Sequence, residues 1–306
     1  MKFNRLFAEK GLSLERLAAL VEVDDAGGIA SAAPDDDSRQ SLVSRQLTQL
    51  EKFFKADLKK KTGKTVELTP AGKQLAQAAR EYLQSLGEFQ RTCVSQPVEI
   101  VMGAGDSLLH WLVLPRLTRL REVLKETVIE LQDLQNLAIC HQLMDQTIDF
   151  GLLRSDLVKR GSLQGKPLGK FGYSLFIPDK LRPRDTKADE ATLLQELPLA
   201  TQGGNTLFQH RLEELAASSN WKLNIQLRCE SFPQVSQVLA TGRMAAILPD
   251  LARLSVSFDC LWVFPLRSLK QLEREVHLAW HPHRLDTRPH LAAVKNRLAE
   301  ALKFAC

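Results

Sequence analysis

The chain has 306 residues, 44% of them hydrophobic and 25% charged, with a formal net charge of +5. That length holds two or three compact domains with cores of their own. Apolar stretches such as Leu108 to Leu114 are interrupted and far too short to span a bilayer, and no charged-then-apolar leader opens the sequence, so a cytoplasmic location is expected.

Ser13 to Val23 predicts an amphipathic helix with a serine cap and with Leu14, Leu17, Leu20 and Val21 facing inward. A short second helix is expected from Gly28 to Ala33. Pro34 then truncates or redirects it, because proline disrupts a helix interior. The next helix is expected from about Gln40 to Phe54, where Leu42, Leu47, Leu50 and Phe54 supply an apolar face. Its opposite face carries Ser41, Ser44, Arg45, Thr48 and Lys52. Such residues can meet phosphates and base edges, although a helix of this kind standing alone reads equally well as a solvated surface.

It does not stand alone. Asp57 to Lys61 and Lys64 to Leu68 flank the turn dipeptide Thr62-Gly63, so a basic hairpin follows the polar helix. From Ser38 to Leu75 there are nine Lys or Arg against three Asp or Glu, a local net of +6 in a chain whose total is +5. That concentration of charge is the electrostatic footprint of a nucleic-acid partner. Against it stand Glu22, Asp24, Asp25, Asp35, Asp36 and Asp37, acids that either cap the polar helix or repel phosphates.

Pro70 to Arg91 predicts one long helix. Leu75, Ala79, Tyr82, Leu86 and Phe89 recur along it as a heptad seam that calls for a partner. Beyond Gln96, strands and helices alternate. Strands are expected at Val98 to Met102, Thr127 to Leu131, Ile148 to Leu153, Tyr173 to Ile177, Leu197 to Thr201, Leu223 to Arg228, Met244 to Leu248 and Glu275 to Trp280. Helices are expected at Leu108 to Leu124, Thr206 to Ser218, after Pro233, and from Pro289 to Phe304. This is an α/β pattern with parallel sheets. Such sheets bind ligands at the carboxyl ends of their strands, and three of these ends open helices: Gly103 to Ser107, Thr201 to Asn205 and Ser231 to Gln234.

Signals for catalysis and for metals are lacking. Gly103-Ala104-Gly105 starts like a dinucleotide fingerprint, but Leu108 stands where the third glycine belongs. There is no GxSxG, no Walker A pair and no HExxH, so no enzyme activity and no cofactor are expected. Five scattered cysteines, Cys93, Cys140, Cys229, Cys260 and Cys306, form no CxxC pair and argue against a disulfide framework or a zinc ribbon. His281-Pro282-His283 reads as a strand end rather than a metal site.

The matching residues point to one family. Ala32-Ala33, the run Gln40…Ser44-Arg45-Gln46-Leu47…Leu50-Glu51, and Leu68-Thr69-Pro70-Ala71-Gly72 resemble the DNA-binding domain of the LysR-type transcriptional regulators. The likeness continues in layout to the C-terminus. The chain departs from the pattern at Pro34-Asp35-Asp36-Asp37-Ser38, where family members keep apolar residues.

The resemblance implies a winged helix-turn-helix domain over 1–69, a linker dimerisation helix and hinge over 70–95, and a two-subdomain effector domain like the periplasmic binding proteins over 96–306. Its subdomains are expected at 96–167 with 263–306, and at 168–262. It further implies a ligand-responsive regulator that binds a partly palindromic site on double-stranded DNA as a dimer or tetramer, with RNA polymerase as a further candidate partner. DNA contacts fall to Arg39, Gln40, Ser41, Ser44, Arg45, Thr48, Lys61, Thr62 and Lys64. The effector, a small molecule such as an organic acid, falls to Ser107, Asn136 in the loop after Leu131, Thr201, Gln202, Phe232 and Ile247. The competing reading is a small-molecule binding protein whose DNA-binding unit has degenerated through its acidic turn.

Overall fold

The computed structural model describes residues 10–62, 65–93, 98–125, 127–159, 162–183, 189–204, 206–254 and 261–305. The chain divides into two compact units, Met1–Val98 and Glu99–Cys306.

The first unit begins with α1 (Leu14–Ala26), whose N-cap Ser13 accepts from the Arg16 amide. Gly27 ends it at φ 75°, a left-handed value that favours glycine. A single turn, α2 (Ile29–Ala32), stops before Pro34 as expected. The polar helix α3 (Asp37–Phe54) starts three residues earlier than the sequence suggests, because the Asp36 side chain accepts from the Arg39 amide at 2.9 Å and caps it. The hairpin pairs β1 (Lys59–Thr62) with β2 (Thr65–Leu68) in antiparallel register, and α4 (Pro70–Cys93) follows.

Leu17, Leu20, Val23, Val43, Leu47, Leu50, Leu58, Leu68, Ala76 and Ala79 form the core of this unit. Two expected core residues are not in it. Leu14 is 50% exposed and Leu42 is 49% exposed. On α3 the buried stripe is Val43, Leu47 and Leu50, stepping by four and three, and a neighbour one residue from Val43 is turned about 100° away from it.

The second unit holds two five-stranded sheets. The first has the order β4 (Thr127–Asp133), β3 (Val98–Ala104), β5 (Phe150–Arg154), β12 (Arg274–Trp280), β6 (Gln164–Phe171). The second runs β11 (Leu261–Pro265), β7 (Tyr173–Pro178), β10 (Ala245–Pro249), β8 (Leu199–Gln202), β9 (Ile225–Cys229). The sheets are mixed rather than parallel: β3 and β5 are parallel, as are β8, β9 and β10, but β7, β11 and β12 pair antiparallel to their neighbours. Helix-connected strands run parallel, whereas strands that enter from the other sheet arrive reversed.

The chain crosses between the sheets at Gly172 and again between Pro265 and Arg274. Strand β6 therefore lies wholly in the first sheet and β11 wholly in the second, so the expected cuts after 167 and 262 fall inside strands. One continuous core, including Trp111, Phe150, Phe176 and Phe208, joins the sheets. The helix expected over Leu108 to Leu124 is broken. A short α5 (Asp106–Leu108) leads through a π-wound turn, Leu109–Val113, and a tight turn at Leu114–Arg116 into α6 (Leu117–Val123). Pro115 cannot donate to a continuous ladder there. No helix among the described residues is long and apolar enough to cross a membrane.

Candidate nucleic-acid interface and effector cleft

On α3, Arg39, Ser41, Leu42, Arg45, Gln49 and Lys52 are exposed, while Gln40, Ser44 and Thr48 are half-buried. Ser41, Arg45, Gln49 and Lys52 recur at three- and four-residue intervals, which makes one outward ridge. Ser44 and Thr48 are engaged internally. The Lys59 ammonium donates to the Ser44 carbonyl at 2.8 Å and to the hydroxyls of Ser44 and Thr48. Sequence reading missed Lys59, which ties the wing to the helix. Glu51 completes the joint by accepting from the amides of Leu58 (3.1 Å) and Lys59 (3.2 Å). Gln40 donates to the Ala33 carbonyl at 2.9 Å. Lys60, Lys61 and Thr62 are exposed on β1, and Lys64 lies outside the described residues.

The acids near the basic face are engaged as well. Arg39 pairs with Glu22 at 3.0 Å on the surface. Arg80 of α4 reaches Asp24 at 2.9 Å and Asp25 at 2.6 Å. Burial opposes the charge on Arg80, but its hydrogen bonds to both aspartates outweigh that and raise its pKa. Asp36 acts as a cap. Four of the six acids, Glu22, Asp24, Asp25 and Asp36, are thus occupied within the domain.

The motif Leu68-Thr69-Pro70-Ala71-Gly72 also has a physical basis. Thr69 donates through its hydroxyl to the Asp57 carbonyl at 2.7 Å and accepts from the Gly72 amide at 3.0 Å, so it caps α4 and anchors the wing base together. A Cβ on Gly72 would lie 2.1 Å from the Leu58 carbonyl oxygen.

In the second unit, Gly105 ends β3 and its carbonyl accepts from the amides of Leu108 (2.9 Å) and Leu109 (3.0 Å), so Ser107 sits in the first turn of α5. The Leu134 amide donates to Ala104 at 3.0 Å and holds the next segment against that turn. Asn136 is not in a loop; it opens helix α7 (Asn136–Met144). Burial raises the Asp133 carboxyl and the Asp106 carboxylate adds to this, against a hydrogen bond from the Asp106 backbone.

Across from α5, Ser231 caps α11 (Phe232–Leu239), and Thr206 caps α10 (Leu207–Ser218), as their positions suggest. Helices α5 and α11 pack against each other, which brings the Ser107 and Phe232 segments together. Gln202 donates to the Glu230 carbonyl at 3.0 Å. Thr201 is fully buried and its hydroxyl has no hydrogen-bond partner among the described residues. Its parallel neighbour on β9 is Arg228, exposed, with its stem against Gly203. Ile247 is fully buried in the middle strand of the second sheet, opposite Leu175.

Sequence reading also missed the aromatic group at the crossing. Tyr173 lies 4.7 Å from Phe208 and 5.8 Å from Phe232, and those two rings are 4.9 Å apart. Burial pushes the Tyr173 hydroxyl pKa up.

Residues 14–73 match the family model of the bacterial regulatory helix-turn-helix protein, lysR family, and residues 98–303 match that of the LysR substrate binding domain. The chain belongs to the LysR family. It is a DNA-binding transcriptional regulator with a substrate-binding domain. It is similar to the HTH-type transcriptional regulator HdfR of Yersinia enterocolitica, 26% identical over 244 residues, covering 78% of this chain and 82% of that one. The nitrogen assimilation regulatory protein nac of Klebsiella aerogenes is 24% identical over 250 residues, covering 80% and 81%.

Solved structures agree on the fold of this LysR-family regulator. A full-length OxyR variant from Pseudomonas aeruginosa aligns with a TM-score of 0.62 at 17% identity, covering 96% of this chain and 95% of that one. LysG from Corynebacterium glutamicum, solved with bound effector Arg, aligns with a TM-score of 0.59 at 15% identity, covering 95% and 98%.

Proposed function

We propose that this regulator binds a partly palindromic site on double-stranded DNA in the cytoplasm as a homodimer or a dimer of dimers. The outward ridge of α3 would enter the major groove with Ser41 and Arg45 toward base edges, and Lys61 and Thr62 of the wing would lie along phosphates. The observation that carries this reading is that ridge: polar and basic side chains stay exposed on a helix whose opposite face is buried. Four of the six nearby acids are engaged within the domain, Asp36 of the acidic turn among them, which supports this reading over a degenerate DNA-binding unit. Tyr82, Leu86 and Phe89 of α4 are 53%, 38% and 70% exposed, an apolar row suited to a second copy of the same helix.

The effector is assigned to the junction of the two sheets, among Ser107, Asn136, Thr201, Gln202 and Phe232. Asp106 and Asp133 already gather negative charge beside Ser107. A small organic acid would therefore place its carboxylate toward the Thr201 loop and Arg228. A thermal-shift panel of small carboxylates and amines tests this, with stabilisation expected from acids and lost in Arg228→Ala.

DNA binding is tested by gel shift with the DNA upstream of the coding sequence. Arg45→Ala is expected to weaken binding by about 5- to 150-fold, the range for one lost base contact of about 1 to 3 kcal/mol. Unchanged affinity would remove α3 from the interface.

A further inference from the structure

Leu42 is the one large apolar side chain on the outward ridge of α3, 49% exposed, with Ser38, Ser41, Arg45 and Gln49 exposed around it at positions four, one, three and seven residues away. The buried stripe of Val43, Leu47 and Leu50 leaves it no place in the core. On the opposite flank of the ridge, the hydroxyls of Ser44 and Thr48 already accept hydrogen bonds from Lys59.

We propose that Leu42 reads sequence by packing its isobutyl group on the C5 methyl of a thymine in the major groove, one per half-site. The inference rests on the assignment of α3 to the groove. Its chemistry is selective, because the thymine methyl is the one apolar group that the four natural bases present there. A leucine facing any other base edge would cover donors or acceptors it cannot satisfy, so its presence disfavours those bases as well as favouring thymine. Arg45, three residues on and close to one helical turn along the same ridge, lies within reach of a neighbouring base pair or its phosphate.

The probe is double-stranded DNA enriched by the full-length protein from a random-sequence pool. Each thymine of the enriched site is replaced in turn by deoxyuridine, which removes the methyl and leaves the pairing intact. Burying one methyl contributes about 0.8 kcal/mol, so a single replacement is expected to weaken binding about fourfold, and one in each of the two half-sites together about fifteenfold. With Leu42→Ala the same replacement should have no effect. Thermal unfolding of that variant should match the parent, since the side chain is outside the core.

Three results would overturn the inference. The enriched half-site could contain no thymine, every deoxyuridine replacement could be neutral for the parent protein, or the fourfold effect could persist in Leu42→Ala. The underlying assignment fails differently: Arg45→Ala would then bind the enriched site as tightly as the parent does.

Discussion

Asp250 and Gly172 hold each other through two reciprocal bonds. The Gly172 amide donates to the Asp250 carboxylate at 3.1 Å, and the Asp250 amide donates to the Gly172 carbonyl at 3.0 Å. Gly172 is the crossing from the first sheet to the second, and Asp250 follows the central strand of the second. Ser174 extends the clasp by donating to Asp250 at 2.6 Å while accepting from Arg253 at 3.0 Å. The clasp fixes the direction in which the chain leaves the first sheet for the second at this crossing.

Asp250→Ala leaves the Gly172 amide and the Ser174 hydroxyl without their acceptor. Bonds to a charged group contribute about 1.5 to 3 kcal/mol each, and water replaces part of the loss, so about 3 kcal/mol of stability should go. Urea unfolding of the full-length protein measures it. Asp250→Asn keeps one acceptor oxygen and should lose less than half as much.

Gly72→Ala tests the joint between wing and linker helix. The added methyl meets backbone, the Leu58 carbonyl at 2.1 Å, rather than a flexible side chain. Relief requires the wing base to move away from α4. About 2 to 3 kcal/mol of destabilisation is expected in the DNA-binding unit, read as a lower melting temperature. Ala71→Gly, one residue away on the exposed side of the helix, should cost about 1 kcal/mol or less. Helix propensity alone would make Gly72→Ala stabilising by up to about 1 kcal/mol, so an unchanged or raised melting temperature would show that the close approach does not require glycine.

Much of this was legible in the residues. The helix-hairpin-helix order of the first unit, the caps at Ser13, Thr206 and Ser231, and the helix stop before Pro34 all depend on local chemistry that a sequence displays directly. Strand direction in the sheets was not legible, because an apolar run reads the same whichever way its neighbour points. Leu42 was misplaced for a related reason: with Val43 beside it, two candidate stripes fit one short helix, and only packing against α1 and α2 chooses between them. The engagement of Ser44 and Thr48 by Lys59, and of Asp24 and Asp25 by Arg80, joins residues 11 to 56 positions apart, and no spacing rule reports such pairs.

Arg80 supplies the next prediction. It is nearly buried, with a side chain 7% exposed, while Asp24 and Asp25 are 21% and 56% exposed. Arg80→Met keeps the bulk and removes the charge. Because both aspartates retain access to water, the cost should be about 2 kcal/mol rather than the larger figure for a fully buried pair. The two freed carboxylates also add negative charge to the domain. DNA affinity should fall and its salt dependence should change little, since Arg80 itself is not on the outward ridge. Unfolding by urea, paired with a salt titration of binding, checks both halves.

His290 makes the stability of the second unit depend on pH. Its pKa is pushed down from 6.5 to about 4, by burial first and then by the Arg288 and Arg284 charges, with Asp149 opposing. The two arginines converge on Asp149, which is itself fully buried: Arg284 donates at 2.8 Å, and Arg288 donates to the same carboxylate oxygen. The Val101 amide takes the other oxygen at 2.9 Å. A single carboxylate between two guanidiniums leaves a net positive surrounding that disfavours a third cation. The folded state therefore binds the imidazole proton less readily than the unfolded chain does. Stability from this group is fully present above pH 6.5 and is lost as the pH falls toward 4. The shift sets a ceiling of about 3.4 kcal/mol, at about 1.36 kcal/mol per pH unit, and because the imidazole keeps partial access to water the contribution falls well below it. His290→Gln carries no titrating proton, so its unfolding free energy should fall less steeply than the parent's between these limits. Carboxylates titrate in both proteins, and the difference between the two slopes isolates the histidine. Identical slopes would mean that His290 is protonated as easily in the folded protein as in the unfolded chain.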